Sequence, residues 1–318
     1  MTSEFDLIRR FFSPPTRHTL LAGGDDAALV SVAPGQALAV STDMLVVGRH
    51  FLADADPGGV GHKSLAVNLS DMAAMGALPR WATLSLALPD ADERWVGAFM
   101  SGFLDLAAQH DVDLIGGDTT RGPLTICVQI MGEIAVGAAL RRDSAGPGDD
   151  LWVSGTVGDA ALALAARRRE IALSPAQRTC ADARLDRPAP RVALGRALVG
   201  KARACIDVSD GLVADVGHIA ERSGVRAVID WSRVPLSTMA SALRDDPVMR
   251  RAALSGGDDY ELAFTAPPDA RGAILAAGER TGVAVTRIGQ VEAGAGVQVQ
   301  DGGGRAVEMV GAGFDHFG

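Results

Sequence analysis

The chain is poor in cysteine, in aromatic rings and in uninterrupted apolar sequence. Its three cysteines, Cys127, Cys180 and Cys205, stand far apart and form no C-x-x-C pair. That spacing offers neither a zinc site nor a disulfide framework, and it fits a reducing cytoplasm. Aromatic residues make up only 4% of the 318 residues, so the core has to come from Ala, Val and Leu. Basic residues are in the minority, 30 Lys and Arg against 39 Asp and Glu, which leaves a net charge of −9. A nucleic-acid binder needs a basic stripe. Here the Lys and Arg are scattered, and the run Arg167–Arg169 reads as the solvated face of a helix. No uncharged apolar run reaches the ~18 residues that read as a membrane span. The opening MTSEFDLIRRFF is too charged and too short for a signal peptide. Neither nucleic acid nor a membrane is therefore expected as a partner, and a cytoplasmic location is.

What the chain has in quantity is glycine, 38 residues, often beside aspartate. GGDD occurs in LAGGDDAALV (21–30) and again in SGGDDYELAF (255–264), with a relative, IGGDTTRG, at 115–122. Taken singly, each Gly-Asp pair reads as a turn. The surrounding pattern predicts a helix over 4–12, strands over 26–32 and 37–44, a helix over 57–76, a strand over 80–88, a helix over 91–110 and a strand over 124–134. LRRDSAGPGDDLW (140–152), charged and carrying Gly-Pro-Gly, reads as a domain boundary. Beyond it a strand is expected at 151–154, helices at 158–169 and 189–200, a strand at 203–208 and a helix at 211–223. Strands near 226–231 and over 260–266, a helix over 269–281 and strands within 284–300 complete the pattern. Strict β-α-β alternation is missing, so the expected class is α+β, with domains 1–139 and 140–318, rather than a doubly wound sheet.

Collected together, the acids look less like isolated turns. Asp25, Asp26, Asp43, Asp118, Asp207, Asp210, Asp258 and Asp259 fall at strand ends or in Gly-rich turns. Asp71 lies in the small, apolar helix segment AVNLSDMAAMGA, three residues from Asn68 and on the same face. A buried carboxylate there is costly unless it is paired or binds a metal. Such an all-oxygen set suits Mg²⁺, which takes one or two carboxylates per ion together with substrate phosphates. The six His form no cluster, which argues against zinc, and His18 and His62 are given no role. Glycine amides beside the acids add a place for phosphate oxygens. Familiar nucleotide signatures are absent: GVGHKS (59–64) has His62 where a Walker A loop needs glycine next to lysine, so it is expected only to open a helix.

The ordered set GGDDAAL, STDMLVVGRHF, LAVNLSDMAAMGA, GGDTTRG, IDVSDGL, SGGDDYELAF and GFDHF, spread over almost the whole chain, resembles the thiamine-monophosphate kinase family of the aminoimidazole-ribonucleotide-synthetase-like superfamily. The resemblance implies two mixed α/β-sandwich domains, with the N-terminal domain binding ATP and Mg²⁺ and forming a β-barrel-like homodimer interface, and the C-terminal domain completing the active site. It implies phosphoryl transfer from ATP to thiamine monophosphate with several Mg²⁺ ions, and leaves K⁺ open. Matched position by position, Asp26, Ser41, Thr42, Asp43, Asp71, Asp118, Asp207 and Asp210 would be metal ligands. Of these, Asp43, Asp71, Asp118 and Asp210 would be central to catalysis. Gly117, Asp118, Arg142 and Ser209 would meet ATP, and His50, Asp258 and Phe314 the thiamine side. Two positions depart from the family pattern. Asp258 stands where Glu is usual, one methylene shorter, and Gly23 stands where Ile often precedes the first acid motif. On the residues alone, His50 also reads as a satisfied core histidine, Phe314 as a C-terminal core anchor and Arg142 as a solvated charge. Two other readings stay open: a selenophosphate or purine-pathway synthetase of the same superfamily, and a noncatalytic metal-nucleotide sensor.

Overall fold

The computed structural model describes residues 4–307. The chain forms two compact units, one built from the residues up to Met72 and from Ala77 to Gly137, the other from Ala73–Gly76 and from Ala138 onward.

The first unit runs α1 (Glu4–Phe11), β1 (Thr19–Leu21), β2 (Leu29–Val30), β3 (Gln36–Val46), α2 (Pro57–Met75), β4 (Leu78–Leu88), α3 (Glu93–Gln109), β5 (Asp113–Arg121) and β6 (Thr125–Ala135). Four of these strands make a mixed sheet in the order β3-β6-β4-β5, with only the β4–β5 pair parallel. One face of the sheet is apolar and buried: Leu84, Leu86, Ile126, Val128 and Ile130 are each at most 2% exposed. The fully buried Leu65 and Leu69 of α2 and Phe99 and Phe103 of α3 complete this core. α2 begins as expected, with the Asp56 carboxylate accepting the Gly59 N–H ahead of Pro57. The glycines of GVGHKS serve packing. A Cβ on Gly61 would lie 1.9 Å from Phe99 O, and one on Gly102 would lie 1.9 Å from Gly58 O, so α2 and α3 touch backbone to backbone.

Two expectations in this unit are corrected. The strand foreseen over 26–32 shrinks to Leu29–Val30, because Asp26 and Ala27 lie in a bend. IGGDTTRG is not a turn but the greater part of β5. Gly117 has φ +152°, and a Cβ there would fall 1.8 Å from Leu84 O, so glycine is what lets β5 lie against β4.

The second unit runs β7 (Asp150–Ser154), α4 (Asp159–Arg167), α5 (Pro175–Asp186), α6 (Val192–Leu198), β8 (Ala204–Asp207), α7 (Leu212–Ser223), β9 (Arg226–Asp230), α8 (Pro247–Ser255), β10 (Leu262–Ala266), α9 (Arg271–Thr281), β11 (Val285–Glu292) and β12 (Gly296–Gln300). Its mixed six-stranded sheet has the order β12-β9-β11-β7-β10-β8. Helices α5 and α8 were not foreseen, although both carry legible start signals. Ser174 and Gln177 form a capping box before α5, and Asp246 caps α8 ahead of Pro247. Arg167 is not on a solvated face. It reaches from α4 to Asp182 and Asp186 of α5 at 2.8 and 2.6 Å. Among the described residues no helix is long and apolar enough to cross a membrane.

Candidate active site

In the first unit the candidate ligands come from β3, α2, β5 and the 23–26 turn. Side chains alternate along a strand, so Ser41 and Asp43 share one face of β3 and Thr42 takes the other. Ser41 and Asp43 pair with the buried Ile130 and Val128 of β6, which places them on the helix-covered face. There the Ser41 hydroxyl donates to Asp71 Oδ2 at 2.5 Å, tying β3 to α2. Thr42 points to the open face, where the Gln129 amide lies 3.5 Å from its hydroxyl. Asp118 belongs with Thr42, since the register runs Asp118–Ser85–Cys127–Met44 across the four strands. The β3 side chains therefore do not converge as a group. The Cys127 thiol is pushed up by burial and then by the Asp43 carboxylate. Asp26 is exposed beside the Gly23–Gly24 turn.

His50 closes the turn after β3. Its Nδ1 accepts the Val46 N–H at 2.9 Å, so the neutral ring carries its proton on Nε2. One helical turn before Asp71, Asn68 is fully buried. Its Nδ2 donates to Ser64 O at 2.9 Å, and its Oδ1 has no hydrogen-bond partner. An unsatisfied buried oxygen costs about 1–3 kcal/mol. Asn68 drew attention in the sequence as a neighbour of Asp71, but its missing partner shows only in the fold.

In the second unit two loops interlock. Asp207 ends β8, and the loop Val208–Gly211 leads into α7. A single oxygen of Asp215, in the first turn of α7, accepts the N–H groups of Ser209, Asp210 and Gly211 at 3.0, 3.0 and 3.1 Å. Burial pushes the Asp215 carboxyl up to about 7; the three amides pull it back and the neighbouring Asp210 carboxylate pushes it further. Against this loop lies the second GGDD. The Asp258 N–H donates to Ser209 O at 2.9 Å, the Tyr260 N–H to Val208 O at 2.8 Å, and the Val208 N–H to Glu261 O at 2.8 Å. Asp207, Ser209, Asp210 and Asp258 are thus brought to one pair of loops.

The two aspartates of that motif separate in role. Asp258 has a left-handed backbone, φ +69°, whereas Asp259 is buried and accepts the Gly158 N–H on both oxygens at 2.9 Å, capping α4. Burial holds the Asp259 carboxyl well above the ordinary range, against the Gly158 N–H and Arg184. Glu261, fully buried, takes the Ser154 hydroxyl at 2.6 Å and the guanidinium groups of Arg184 and Arg191. Burial works against the Arg184 charge, and Glu261 together with Asp259 and Asp159 more than offsets it. Arg142 is exposed beside the start of β8, its carbonyl accepting the Ser223 hydroxyl at 2.8 Å. Phe314 lies outside the described residues. Sequence reasoning missed Asp215, Tyr260 and the Glu261–Arg184–Arg191 group. Of these only Asp215, an acid in the first turn of a helix, left a local signal.

The donors are oxygens throughout, which suits a hard cation. Among the described residues no three His, Cys, Asp or Glu side chains come close enough to hold a metal ion by themselves. A cation here would take one or two carboxylates and fill its shell with other oxygens, as Mg²⁺ does. The orphaned Asn68 oxygen beside Asp71 fits such a neighbour.

Residues 24–134 match the AIR synthase related protein, N-terminal domain, and residues 146–302 match its C-terminal domain, so fold and site define an AIR synthase related protein. The thiamine-monophosphate kinase of Escherichia coli K12 is 45% identical over 99% of this chain and 98% of its own length. That of Stenotrophomonas maltophilia K279a, a crystal structure 49% identical, superposes with TM-score 0.85 over 91% of this chain and 92% of that one. AaThiL, solved in complex with AMPPCP and TMP, is 34% identical, with TM-score 0.77 over 90% and 89% of the two chains. The chain belongs to the thiamine-monophosphate kinase family.

Proposed function

We propose that this protein transfers the γ-phosphoryl group of ATP to thiamine monophosphate, giving ADP and thiamine diphosphate. The observation that carries the reading is the end-to-end match to thiamine-monophosphate kinases, supported by a relative solved with AMPPCP and TMP. Two local arrangements support this reading. Oxygen donors meet at Ser41–Asp71 in one unit, and a rigid pair of acidic loops stands in the other.

The nucleophile is a phosphate oxygen, already ionised near neutrality, so no general base is needed. The chemical difficulty is repulsion between two anionic phosphates. At an effective dielectric of about 20, two unit charges about 4 Å apart repel by roughly 4 kcal/mol. A bound Mg²⁺ would supply the positive charge that offsets this repulsion. Asp43 and Asp71 would serve as carboxylate ligands in the first unit and Asp207 and Asp210 in the second, for several ions rather than one, with Asp26, Asp118, Ser41 and Thr42 supplying further oxygens in the first. Ser41 orients Asp71 through its hydroxyl, and Asp215 fixes the Ser209–Gly211 loop. Gly117, Asp118, Arg142 and Ser209 are the residues for ATP. His50 and Asp258 face the acceptor, whose thiazolium is a cation, and Phe314 is assigned to the same side. The acceptor oxygen attacks the γ-phosphorus as the bond to the ADP oxygen breaks, in line, with no phosphoenzyme.

In this reading the first unit carries ATP and metal binding and dimerisation, and the second supplies the remaining site residues. The partner in dimerisation is a second copy of the chain in the cytoplasm. β3 is an eleven-residue edge strand. Its open face shows Leu38, Val40 and Met44 at 42, 53 and 56% exposure, a combination that soluble proteins normally cover. The test is ADP release from purified protein with Mg-ATP and thiamine monophosphate, with free thiamine and no acceptor as controls. Thiamine diphosphate should form in equal amount with ADP, and only with the monophosphate. Tight Mg-ATP binding without turnover would point instead to another acceptor or to a nucleotide sensor.

A further inference from the structure

Tyr260 is the single tyrosine of the chain, and it sits in a strained segment. Asp258 and Tyr260 both have left-handed backbones, φ +69° and +51°, which a non-glycine residue keeps only where its surroundings over-determine it. Those surroundings are present at every step. A Cβ on Gly257 would fall 2.2 Å from Ser209 O, so only glycine admits that approach. The N–H groups of Asp258 and Tyr260 are both held by the 208–209 backbone. The Asp259 carboxylate is fixed on the Gly158 N–H, and Glu261 is gripped by Arg184, Arg191 and Ser154. On this fixed platform the Tyr260 hydroxyl donates to Asp258 Oδ1 at 3.0 Å. Tyr260 is 9% exposed, so its phenol has little freedom.

We propose that Tyr260 is a positioning residue for the acceptor, its phenol setting the orientation of the Asp258 carboxylate that meets thiamine monophosphate. The inference rests on the acceptor-side role given to Asp258 above. A carboxylate on the short Asp side chain has a small set of reachable positions, and a hydrogen bond from a packed ring selects one of them before the substrate arrives.

The experiment is steady-state kinetics on the full chain, comparing wild type, Tyr260→Phe, Asp258→Asn and the double variant, with each substrate varied in turn. Tyr260→Phe should raise KM for thiamine monophosphate about five- to tenfold. It should leave KM for Mg-ATP within about twofold, because a residue acting only through Asp258 removes acceptor binding alone. In the Asp258→Asn background the same change should add less than about twofold, since the two residues act as one unit. An unchanged acceptor KM, or an equal factor with and without Asp258, would overturn the proposal. A second measurement needs no substitution at all. 3-Fluorotyrosine incorporated into the wild-type chain labels this one position, and its ¹⁹F resonance should shift on adding thiamine monophosphate and not on adding Mg-ATP alone. A resonance indifferent to the acceptor would also overturn it. If the wild-type protein fails to turn over thiamine monophosphate, the parent reading falls and this inference with it. Wild-type turnover with an unaltered Tyr260→Phe sinks only the inference.

Discussion

Asp71 sits on a helix packed with small buried residues and receives the Ser41 hydroxyl. Replacing it with Asn keeps the size and removes the charge. Asp71→Asn should therefore cut kcat/KM at least about a hundredfold while the thermal melt stays near that of wild type; full activity would remove Asp71 from the site. Asp150 shows the opposite use of a carboxylate. It is 3% exposed and takes Arg271 at 2.5 and 2.8 Å and Arg287 at 3.0 Å. The hydrogen bond from Arg271 holds its carboxyl below the ordinary range, burial opposes this, and Arg287 adds to it. A depressed folded value means that the stabilisation is present above the unfolded value of about 3.9 and is lost as the pH falls further. Asp150→Asn should cost about 1–2 kcal/mol at pH 7, kept modest because Arg271 is 48% exposed. The gap in melting temperature between variant and wild type should close as the pH falls below 4. A gap that persists unchanged at pH 3 would place the effect elsewhere.

At the scale of elements, α2 and α3 depend on glycine where their backbones meet. Gly61→Ala puts a methyl 1.9 Å from Phe99 O, a contact that only a helix shift relieves. The expected loss is about 1–3 kcal/mol, read by thermal or urea unfolding, and a neutral outcome would show that the helices have room to separate. The helix itself was legible, since Pro57 and the apolar run mark it. The helix-to-helix contact was not, because nothing local distinguishes a packing glycine from a phosphate-loop glycine. β5 was misread for a similar reason. Gly-Gly-Asp has the composition of a turn, and only its pairing with β4 makes it a strand. The GGDD at 256–259 did form the expected irregular segment. That one of its acids caps α4 while the other lies beside the 208–211 loop depends on partners about a hundred and about fifty residues away.

At the scale of the molecule, the open face of the first unit's sheet leaves Leu38, Val40 and Met44 exposed. If a second copy covers it, Val40→Lys should convert a dimer to a monomer in analytical ultracentrifugation, because a charge at a position 53% exposed in the single chain is tolerated there but not inside an apolar interface. A monomeric wild-type protein, or a Val40→Lys dimer of unchanged affinity, would rule out this face.

The sequence alone determined the class of fold and the family, because these follow from local pattern and from the order of motifs along the chain. It also determined the starts of helices such as α2, whose caps are neighbours in sequence. Only the tertiary structure decided that Ser41 and Asp71 meet, that Thr42 and Asp118 take the opposite face of the sheet, and that Asp215 gathers three amides of the 209–211 loop. Only it joined Tyr260 to an Asp258 held in a left-handed turn. Each of these depends on the register of a strand or on the close approach of two loops. Register and approach are fixed by packing over the whole unit rather than by the residues on either side.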